Sequence, residues 1–247
     1  MYPWLDRVDV VSPTGRDTHA FLPEVATTLV FRTTMEGHSD LIVVGPKTRG
    51  AYHPAKTLRM CVRMSVRPGL GRHLFGVPVS ELADRSTSLT DLWGTAGRRL
   101  VDAVSGVPDE ATVVDRLSAA FRPTAEAAPA RTALLTAAMR ALSPGGDPRL
   151  ARLAPLAGHL GLSDRHLRTV FARDIGLSPK QFTRIARLHH VLSGYTGDRW
   201  ARLAGEAGYF DQAHMIGDFR ALMGVTPVAY AAGQLPPPTP CATLHRP

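Results

Sequence analysis

Two stretches of the sequence repeat each other and decide the fold: LAPLAGHLGLSDRHLRTVFARDIGLSP at residues 153–179 and WARLAGEAGYFDQAHMIGDFRALMGVTP at residues 200–227. A repeat of this length indicates two copies of one supersecondary unit. Matching residues lie 47 positions apart as far as a glycine, and 48 apart beyond it, because the second copy has one extra residue. The matched pairs are Leu156 and Leu203, Ala157 and Ala204, Gly161 and Gly208, Leu167 and Met215, Phe171 and Phe219, Gly176 and Gly224, and Pro179 and Pro227.

The matched residues suit two short helices that cross at a steep angle. In the first copy, Ala157 is small enough for a close approach between the helices, and Gly161 permits the positive φ of a sharp turn. Ser163, like Asp211 in the second copy, stands where an N-cap belongs. The apolar residues of the first copy recur at i, i+3, i+4 and i+7 and predict its core: Leu153, Leu156, Leu160, Leu162, Leu167, Val170 and Phe171.

The repeat predicts two helix-turn-helix units, at about 150–174 and 199–223. One copy alone would fit an ordinary helical hairpin used for packing equally well, but the second copy favours the helix-turn-helix. Between them, residues 179–193 predict one continuous linker helix about 22 Å long at ~1.5 Å per residue. Adjacent major-groove faces lie about 34 Å apart, a span that two linked units can cover. The expected recognition helices are about Asp164 to Asp174 and Gln212 to Met223.

Charge is concentrated in the part of the chain that contains the repeat. The net charge is +8, and residues 131–232 hold 13 Lys and Arg against 7 Asp and Glu, whereas the remainder holds 16 against 14. This distribution is expected if the C-terminal part meets a polyanion such as nucleic acid. Hydrophobic residues make up 44% and charged residues 20%, which is typical of a folded chain rather than a disordered one.

The sequence ahead of the repeat changes from β-rich to helical. Three strand-like runs, Val25–Arg32, Asp40–Val44 and Leu58–Val66, are separated by turn residues. We therefore expect a mostly α fold with a small β-rich N-terminal part, and a C-terminal all-α domain of two helix-turn-helix units joined by a linker helix. Helix-sized segments follow Pro68 and Gly69: Ala96–Val104, Glu110–Phe121 and Arg131–Leu142.

Further motifs surround the repeat: Gly176-x-Ser178-Pro179, Arg187-Leu188, Gly208-Tyr209-Phe210-Asp211, Phe219-Arg220 and Gly224-Val225-Thr226-Pro227-x-x-Tyr230. With these motifs, the stretch from about Arg149 to Ala232 resembles the AraC/XylS-type DNA-binding domain. The resemblance covers about a third of the chain. It implies a sequence-specific transcription regulator whose two recognition helices enter successive major grooves of a mostly asymmetric site. Its partners would be double-stranded DNA and RNA polymerase, and its location the cytoplasm, at the bacterial nucleoid.

The N-terminal region is also similar to those of a subgroup of such regulators, which sense a ligand or dimerise; the shared motifs include Leu74-Phe75-Gly76-Val77-Pro78 and Asp91-Leu92-Trp93-Gly94. A homodimer and a small-molecule effector are therefore expected partners. The expected organisation has three parts: residues 1–125 as a sensor or dimerisation domain, β-rich at about 20–67 and then helical; residues 131–232 as the DNA-binding domain; and residues 233–247 as a Pro-rich flexible tail.

The outward side of each recognition helix should read bases. Arginine can pair with guanine O6 and N7, which makes Arg165 and Arg168 the main expected base readers; the alternative is that they contact phosphate or solvent alone. Family members usually place an arginine where Gly217 stands, so we expect the first unit to supply most of the discrimination. The expected base-reading residues are Arg165, His166, Arg168 and Thr169 in the first unit, and Gln212, Ala213, His214 and Ile216 in the second.

A second group of residues is expected to hold DNA phosphates, which orient a protein on the duplex without reading sequence. Some of them are expected simply to form a solvated face. Helix N-termini add backbone N–H groups suited to phosphate at Ser163 and Ser178. The side chains expected to contact phosphate are Lys180, Arg184, Arg187, Arg199 and Arg202.

Alternation within Leu58–Val66 predicts an apolar face and an opposite polar face. Arg59, Cys61 and Arg63 on the polar face suggest an anion-binding effector pocket, although such a face is more often simply exposed to solvent. Cys61 and Cys241 are too few for a disulfide framework and are expected to be reduced.

Enzyme and membrane functions find little support in the sequence. It contains no Cys or His cluster at zinc spacing, no Gly-x-Ser-x-Gly elbow and no phosphate-cradling glycine loop, so we expect no catalytic activity, metal or cofactor. No apolar run reaches the ~18 residues of a membrane span, so no membrane partner is expected. Two alternatives are a helical protein-interaction module that has lost DNA binding and, much less favoured, a DNA-repair alkyl-acceptor fusion that uses Cys61.

Overall fold

The structure is a computed structural model that describes residues 2–11, 18–54, 57–121, 129–197 and 199–239. The strands all lie in the N-terminal part: β1 Leu5–Val10, β2 Thr18–Phe21, β3 Thr28–Thr34, β4 Ser39–Val44, β5 Ala51–Pro54, β6 Leu58–Val66 and β7 Ser86–Ser88. The helices begin after β6, and the first two precede β7: α1 Gly71–Phe75, α2 Val79–Leu82, α3 Leu89–Trp93, α4 Thr95–Val104, α5 Glu110–Ala120, α6 Pro129–Leu142, α7 Leu153–His159, α8 Asp164–Ile175, α9 Pro179–Ser193, α10 Trp200–Glu206, α11 Gln212–Met223 and α12 Pro227–Ala231.

This arrangement confirms the expected fold class, a β-rich N-terminal part followed by a helical C-terminal part. The three strand-like runs became β3, β4 and β6, although β3 begins at Thr28 rather than Val25. Four short strands were not predicted from the sequence, because each owes its strand conformation to a partner strand rather than to its own apolar pattern. These are β1, β2, β5 and β7.

The strands form two antiparallel sheets. One has five strands in the order β1-β6-β3-β4-β7, and the other pairs β2 with β5. The predicted apolar face of β6 is confirmed, because Met60, Val62 and Met64 lie in the N-terminal core, where Phe75 and Phe121 of the helical layer cover the five-stranded sheet. The opposite face is not uniformly exposed, since Cys61 on it is buried.

The two repeats fold as helix-turn-helix units, α7 with α8 and α10 with α11. The positive φ predicted for the two turn glycines is confirmed, at +68° for Gly161 and +76° for Gly208. The predicted N-caps are also present: the Ser163 hydroxyl accepts a hydrogen bond from the His166 N–H at 3.2 Å, and the Asp211 carboxylate accepts one from the His214 N–H at 2.7 Å.

The linker helix α9 has the predicted bounds and supplies side chains to both units. Phe182 and Ile185 are buried with α6, α7 and α8 in the core of the first unit. Two turns later, Val191 is buried with Trp200 and Met215 in the core of the second. A single rigid helix therefore connects two separate cores and fixes the distance between them.

The N-terminal part contacts both units. At the first, Gly176 packs so closely on α2 that an added Cβ would lie 2.8 Å from the Val79 carbonyl oxygen. At the second, the Gly50 N–H donates to the Leu222 carbonyl at 2.8 Å, and the Tyr52 hydroxyl donates to the Met223 carbonyl, also at 2.8 Å. The two helix-turn-helix units are thus held by one common neighbour.

The expectation of a solvated C-terminal tail differs from the structure over the described residues up to 239. Leu235 packs against the cluster that contains Tyr52 and Phe219, and the Thr239 N–H donates to the Tyr52 carbonyl at 2.8 Å. The sequence could not show this, because the partner residues come from β5 and α11. Residues 240–247, with Cys241, lie outside the described residues, and so do residues 122–128, which include the end of the expected sensor domain.

A change of Gly176 to alanine tests the contact between α2 and the first unit. Gly176→Ala should destabilise the fold by about 1–3 kcal/mol, because the residue has φ +81° and the new Cβ meets the Val79 carbonyl. Gly145→Ala is the matched control, with φ +80° and nothing within 4 Å. Urea unfolding should show the larger loss for Gly176→Ala; equal losses would mean that strain at φ accounts for the whole effect.

The contact with the second unit should appear in the pH dependence of stability. Burial raises the pKa of Tyr52 to about 12, whereas an unfolded tyrosine titrates near 10. Since the neutral hydroxyl is favoured in the folded state, its contribution is complete below pH ~10 and is lost as the pH rises towards 12. The free energy of unfolding should therefore fall across this window less steeply in Tyr52→Phe than in the wild type. If the free energy of unfolding fell equally steeply with pH in both proteins, Tyr52 would not be the group whose raised pKa stabilises the fold.

Candidate nucleic-acid interface

The first recognition helix, α8, separates an inward apolar side from an outward polar side. Leu167, Val170 and Phe171 are buried in the core of the unit. The four side chains expected to read bases in this unit are all exposed: Arg165, His166, Arg168 and Thr169. The structure thus places them together on one accessible surface at the N-terminal half of the helix.

The C-terminal end of α8 is anchored within the protein. Asp174 is 3% exposed, and its carboxylate accepts hydrogen bonds from Arg131 of α6 at 2.7 Å and from the adjacent Arg173 at 3.2 Å. Burial raises the pKa of the Asp174 carboxyl, and the Arg173 charge acts in the opposite direction. Asp174 is therefore turned inward at the end of this helix, while Arg165 and Arg168 near its beginning face outward.

The second recognition helix, α11, has a different outward surface. Gln212, Ala213 and His214 are exposed, whereas Ile216 is half-buried against the core of the second unit. Around Gly217 the space is open, with nothing within 4 Å of an added Cβ. This surface carries no arginine at the three positions equivalent to Arg165, Arg168 and Thr169. Its side chains at these positions are shorter and less polar than those of α8.

A polar cluster ties the linker helix to the second recognition helix. The Arg184 guanidinium donates to the Asp218 carboxylate at 2.6 Å, and the Tyr209 hydroxyl donates to the same group at 3.4 Å. Arg187 lies over the Tyr209 ring, with its guanidinium carbon 5.3 Å from the ring centroid. Burial, assisted by the charge of Asp218, raises the pKa of the Tyr209 hydroxyl, so it stays protonated as a donor.

Sequence reasoning missed the roles of Tyr209 and Asp218 in this cluster. The only sequence signal was the Gly-Tyr-Phe-Asp motif, which does not reveal a partner on another helix.

The residues expected to contact phosphate fall into three sets in the structure. Lys180 and Arg199 are exposed. Arg184, Arg187 and Arg202 have partners within the chain, and the partner of Arg202 is Glu206 at 2.9 Å. Ser163 and Ser178 cap their helices with their hydroxyls.

The three residues suggested for an effector pocket occupy different surroundings on β6. Arg59 is exposed, Cys61 is 8% exposed, and the Arg63 guanidinium lies 5.7 Å from the centroid of the Phe21 ring. Two clefts among the described residues are lined by other side chains. The larger, of about 960 Å³, runs along α6 and α7, and the smaller, of about 130 Å³, lies between the N-terminal part and the end of α8.

The described part of the chain holds no group of three or more His, Cys, Asp or Glu side chains arranged to bind a metal. None of its helices combines the length and the apolar character needed to cross a bilayer.

A family model described as a helix-turn-helix domain matches residues 156–233, which span most of α7 and all of α8 to α12. Residues 156–233 form an AraC-type helix-turn-helix domain. This domain is the DNA-binding part of transcription regulators, so the exposed surfaces of α8 and α11 belong to a DNA-binding domain. The AraC-type domain includes every residue predicted to contact DNA.

Solved structures of ToxT from Vibrio cholerae are similar to the chain. An apo form shares 14% identity at a TM-score of 0.42, covering 90% of this chain and 95% of that chain. The form bound to an unsaturated fatty acid shares 11% identity at a TM-score of 0.40, covering 91% and 94%. A search of curated protein sequences found no match.

The ion pair between the linker helix and α11 should couple more strongly than an exposed pair of the AraC-type domain. A double-mutant cycle on Arg184→Ala and Asp218→Ala should give a coupling of about 1 kcal/mol or more in thermal or urea unfolding, since Asp218 is largely buried. The same cycle on Arg202 and Glu206, both exposed, should give at most about 0.5 kcal/mol. A larger coupling energy for Arg202 and Glu206 than for Arg184 and Asp218 would show that the buried ion pair does not hold the second unit in place.

Proposed function

We propose that the protein is a sequence-specific transcription regulator that places α8 and α11 in successive major grooves of a mostly asymmetric DNA site. The observation that carries this proposal is the pair of exposed recognition-helix surfaces within the AraC-type domain, connected by one rigid helix whose side chains enter both cores. A recognition helix in a major groove contacts base edges through its N-terminal residues. In α8 these residues, Arg165 to Thr169, include the four exposed side chains that are expected to read bases.

The first unit supplies most of the sequence discrimination in this proposal. Arg165 and Arg168 each suit a bidentate pair with guanine, worth about 1–3 kcal/mol per base, and His166 and Thr169 add further polar contacts. The Thr169 hydroxyl donates to the Arg165 carbonyl at 2.9 Å, which leaves its oxygen able to accept from a base amino group.

The second unit contributes anchoring and weaker readout. Gln212 and His214 are exposed polar groups at the start of α11, and Ala213 and Ile216 offer apolar contact to thymine methyl groups. Lys180 and Arg199 are exposed and suited to phosphate. For Arg184 and Arg187, the partners within the chain support a role in holding the second unit against the linker helix. A DNA phosphate would contact only the outer guanidinium nitrogens of these two side chains.

Effector control would act through the contacts between the N-terminal part and the two units. A ligand that favours one arrangement of β5 and α2 over another would change how the units are held, and hence their affinity for DNA. The arginines of β6, Arg59 and Arg63, remain the proposed anion-binding groups beside Cys61. RNA polymerase and a second copy of the chain are further proposed partners, and the cytoplasm, at the nucleoid, is the proposed location.

Binding to duplexes selected from a random pool tests the proposal. Arg168→Ala should weaken binding to the selected site about 5- to 150-fold and relax the preference at one base pair, because one bidentate contact is lost. Arg98→Ala removes the same charge from the exposed side of α4 and should change little. Affinity should also fall with added salt, with a logarithmic slope of about one per phosphate contacted.

Two results would separate the rival readings. A wild-type protein that ignores every duplex at low ionic strength, but binds a protein partner without salt dependence, would identify a helical interaction module instead. Equal effects of Arg168→Ala and Arg98→Ala on affinity and on base preference would show that α8 does not read bases.

A further inference from the structure

The turn of the second helix-turn-helix unit contains one residue that the first unit lacks. In the first unit, Leu162 alone separates Gly161 from the N-cap Ser163, and its side chain is half-buried against the core. In the second unit, two residues separate Gly208 from the N-cap Asp211. The first of them, Tyr209, is buried at 6% exposure and takes the place of Leu162 in the core. Phe210 is therefore the surplus residue.

Phe210 has no role in the packing of the described chain. Its side chain is 93% exposed, and the next most exposed large hydrophobic residue, Val228, reaches 63%. A residue directly before an N-cap often packs on the residue at N4, which is here Met215. Met215 is completely buried by the core of its own unit. The fold thus gains nothing from the phenyl ring at this position.

Phe210 lies at the end of the second unit that would face DNA in the proposed function. It directly precedes the N-cap of α11, and the N-terminal end of a recognition helix is the part that reaches base edges. Ala213 and Gly217 lie four residues apart on one exposed face of the helix, and neither has a side chain that could cover the ring. The phenyl ring is the largest apolar group at this end of α11.

We propose that Phe210 contacts the 5-methyl group of a thymine in the half-site read by the second unit. This inference rests on the proposed function and assigns the second unit its own specificity. The methyl group is the only apolar feature that distinguishes a base in the major groove, and apolar side chains, phenylalanine among them, recognise it. The second unit therefore selects an A·T pair by apolar contact, whereas the first selects guanine by charged hydrogen bonds.

Replacement of thymine by deoxyuridine removes the methyl group alone and provides the test. In a site selected from random duplexes, each thymine of the second half-site is replaced in turn. At one position the wild type should lose about fourfold in affinity, the ratio that corresponds to ~0.8 kcal/mol for one buried carbon group. Phe210→Ala should bind both duplexes with the same, weakened affinity. Thymines of the first half-site should affect wild type and variant equally.

Control variants separate this contact from general effects. Met35→Ala removes another exposed hydrophobic side chain, 61% exposed and outside the AraC-type domain, and should keep the full sensitivity to deoxyuridine. Phe210→Gln keeps much of the size of the side chain but not its apolar character, and should lose the sensitivity as Phe210→Ala does. Because the ring is exposed, both Phe210 variants should unfold at the temperature of the wild type.

The outcomes distinguish this inference from the proposed function. If wild type and Phe210→Ala bind the selected DNA with the same sensitivity to deoxyuridine, or if no replacement in the second half-site weakens the wild type, the Phe210 contact is wrong and the transcription regulator stands. If the wild type selects no duplex at all, the proposed function fails and the inference fails with it.

Discussion

The linker helix α9 is the element on which the rest of the DNA-binding region depends. Its buried face enters the first core through Phe182 and Ile185 and the second through Val191, so neither unit can move without disturbing a packed interior. Close-packed cores resist such displacement, because shifted side chains leave cavities or clashes. The spacing between the two recognition helices is therefore a property of one rigid helix, and in the proposed function the site on DNA must match it.

The charges of the recognition helices are distributed by the same principle in both units. Each helix carries an aspartate that is turned inward and paired with an arginine of a supporting helix, Asp174 with Arg131 and Asp218 with Arg184. An inward carboxylate needs such a partner, since burial without one is costly. The arrangement keeps these two carboxylates off the exposed surface of the helices, and it fixes the orientation of each recognition helix on its support.

In the proposed function, the two units nevertheless present different chemistry to DNA. The first offers guanidinium groups on an exposed helix, and the second offers an exposed phenyl ring beside alanine and glycine. This difference favours an asymmetric site with a hydrogen-bonded half and an apolar half. The N-terminal part touches both units through α2 and β5, so a change in its structure would act on both halves at once.

The sequence by itself determined the fold class, the two helix-turn-helix units, the linker helix from Pro179 to Ser193 and the outward residues of α8, because helical periodicity, N-caps and turn glycines act over a few residues. Tertiary structure decided what depends on distant partners. The short strands β1, β2, β5 and β7, the packing of Leu235 on the second unit, and the buried places of Tyr209 and Asp218 all arise from contacts between segments far apart in the chain. The exposure of Phe210 belongs to the same class, since only the folded unit shows that Tyr209 fills the core and leaves the ring outside.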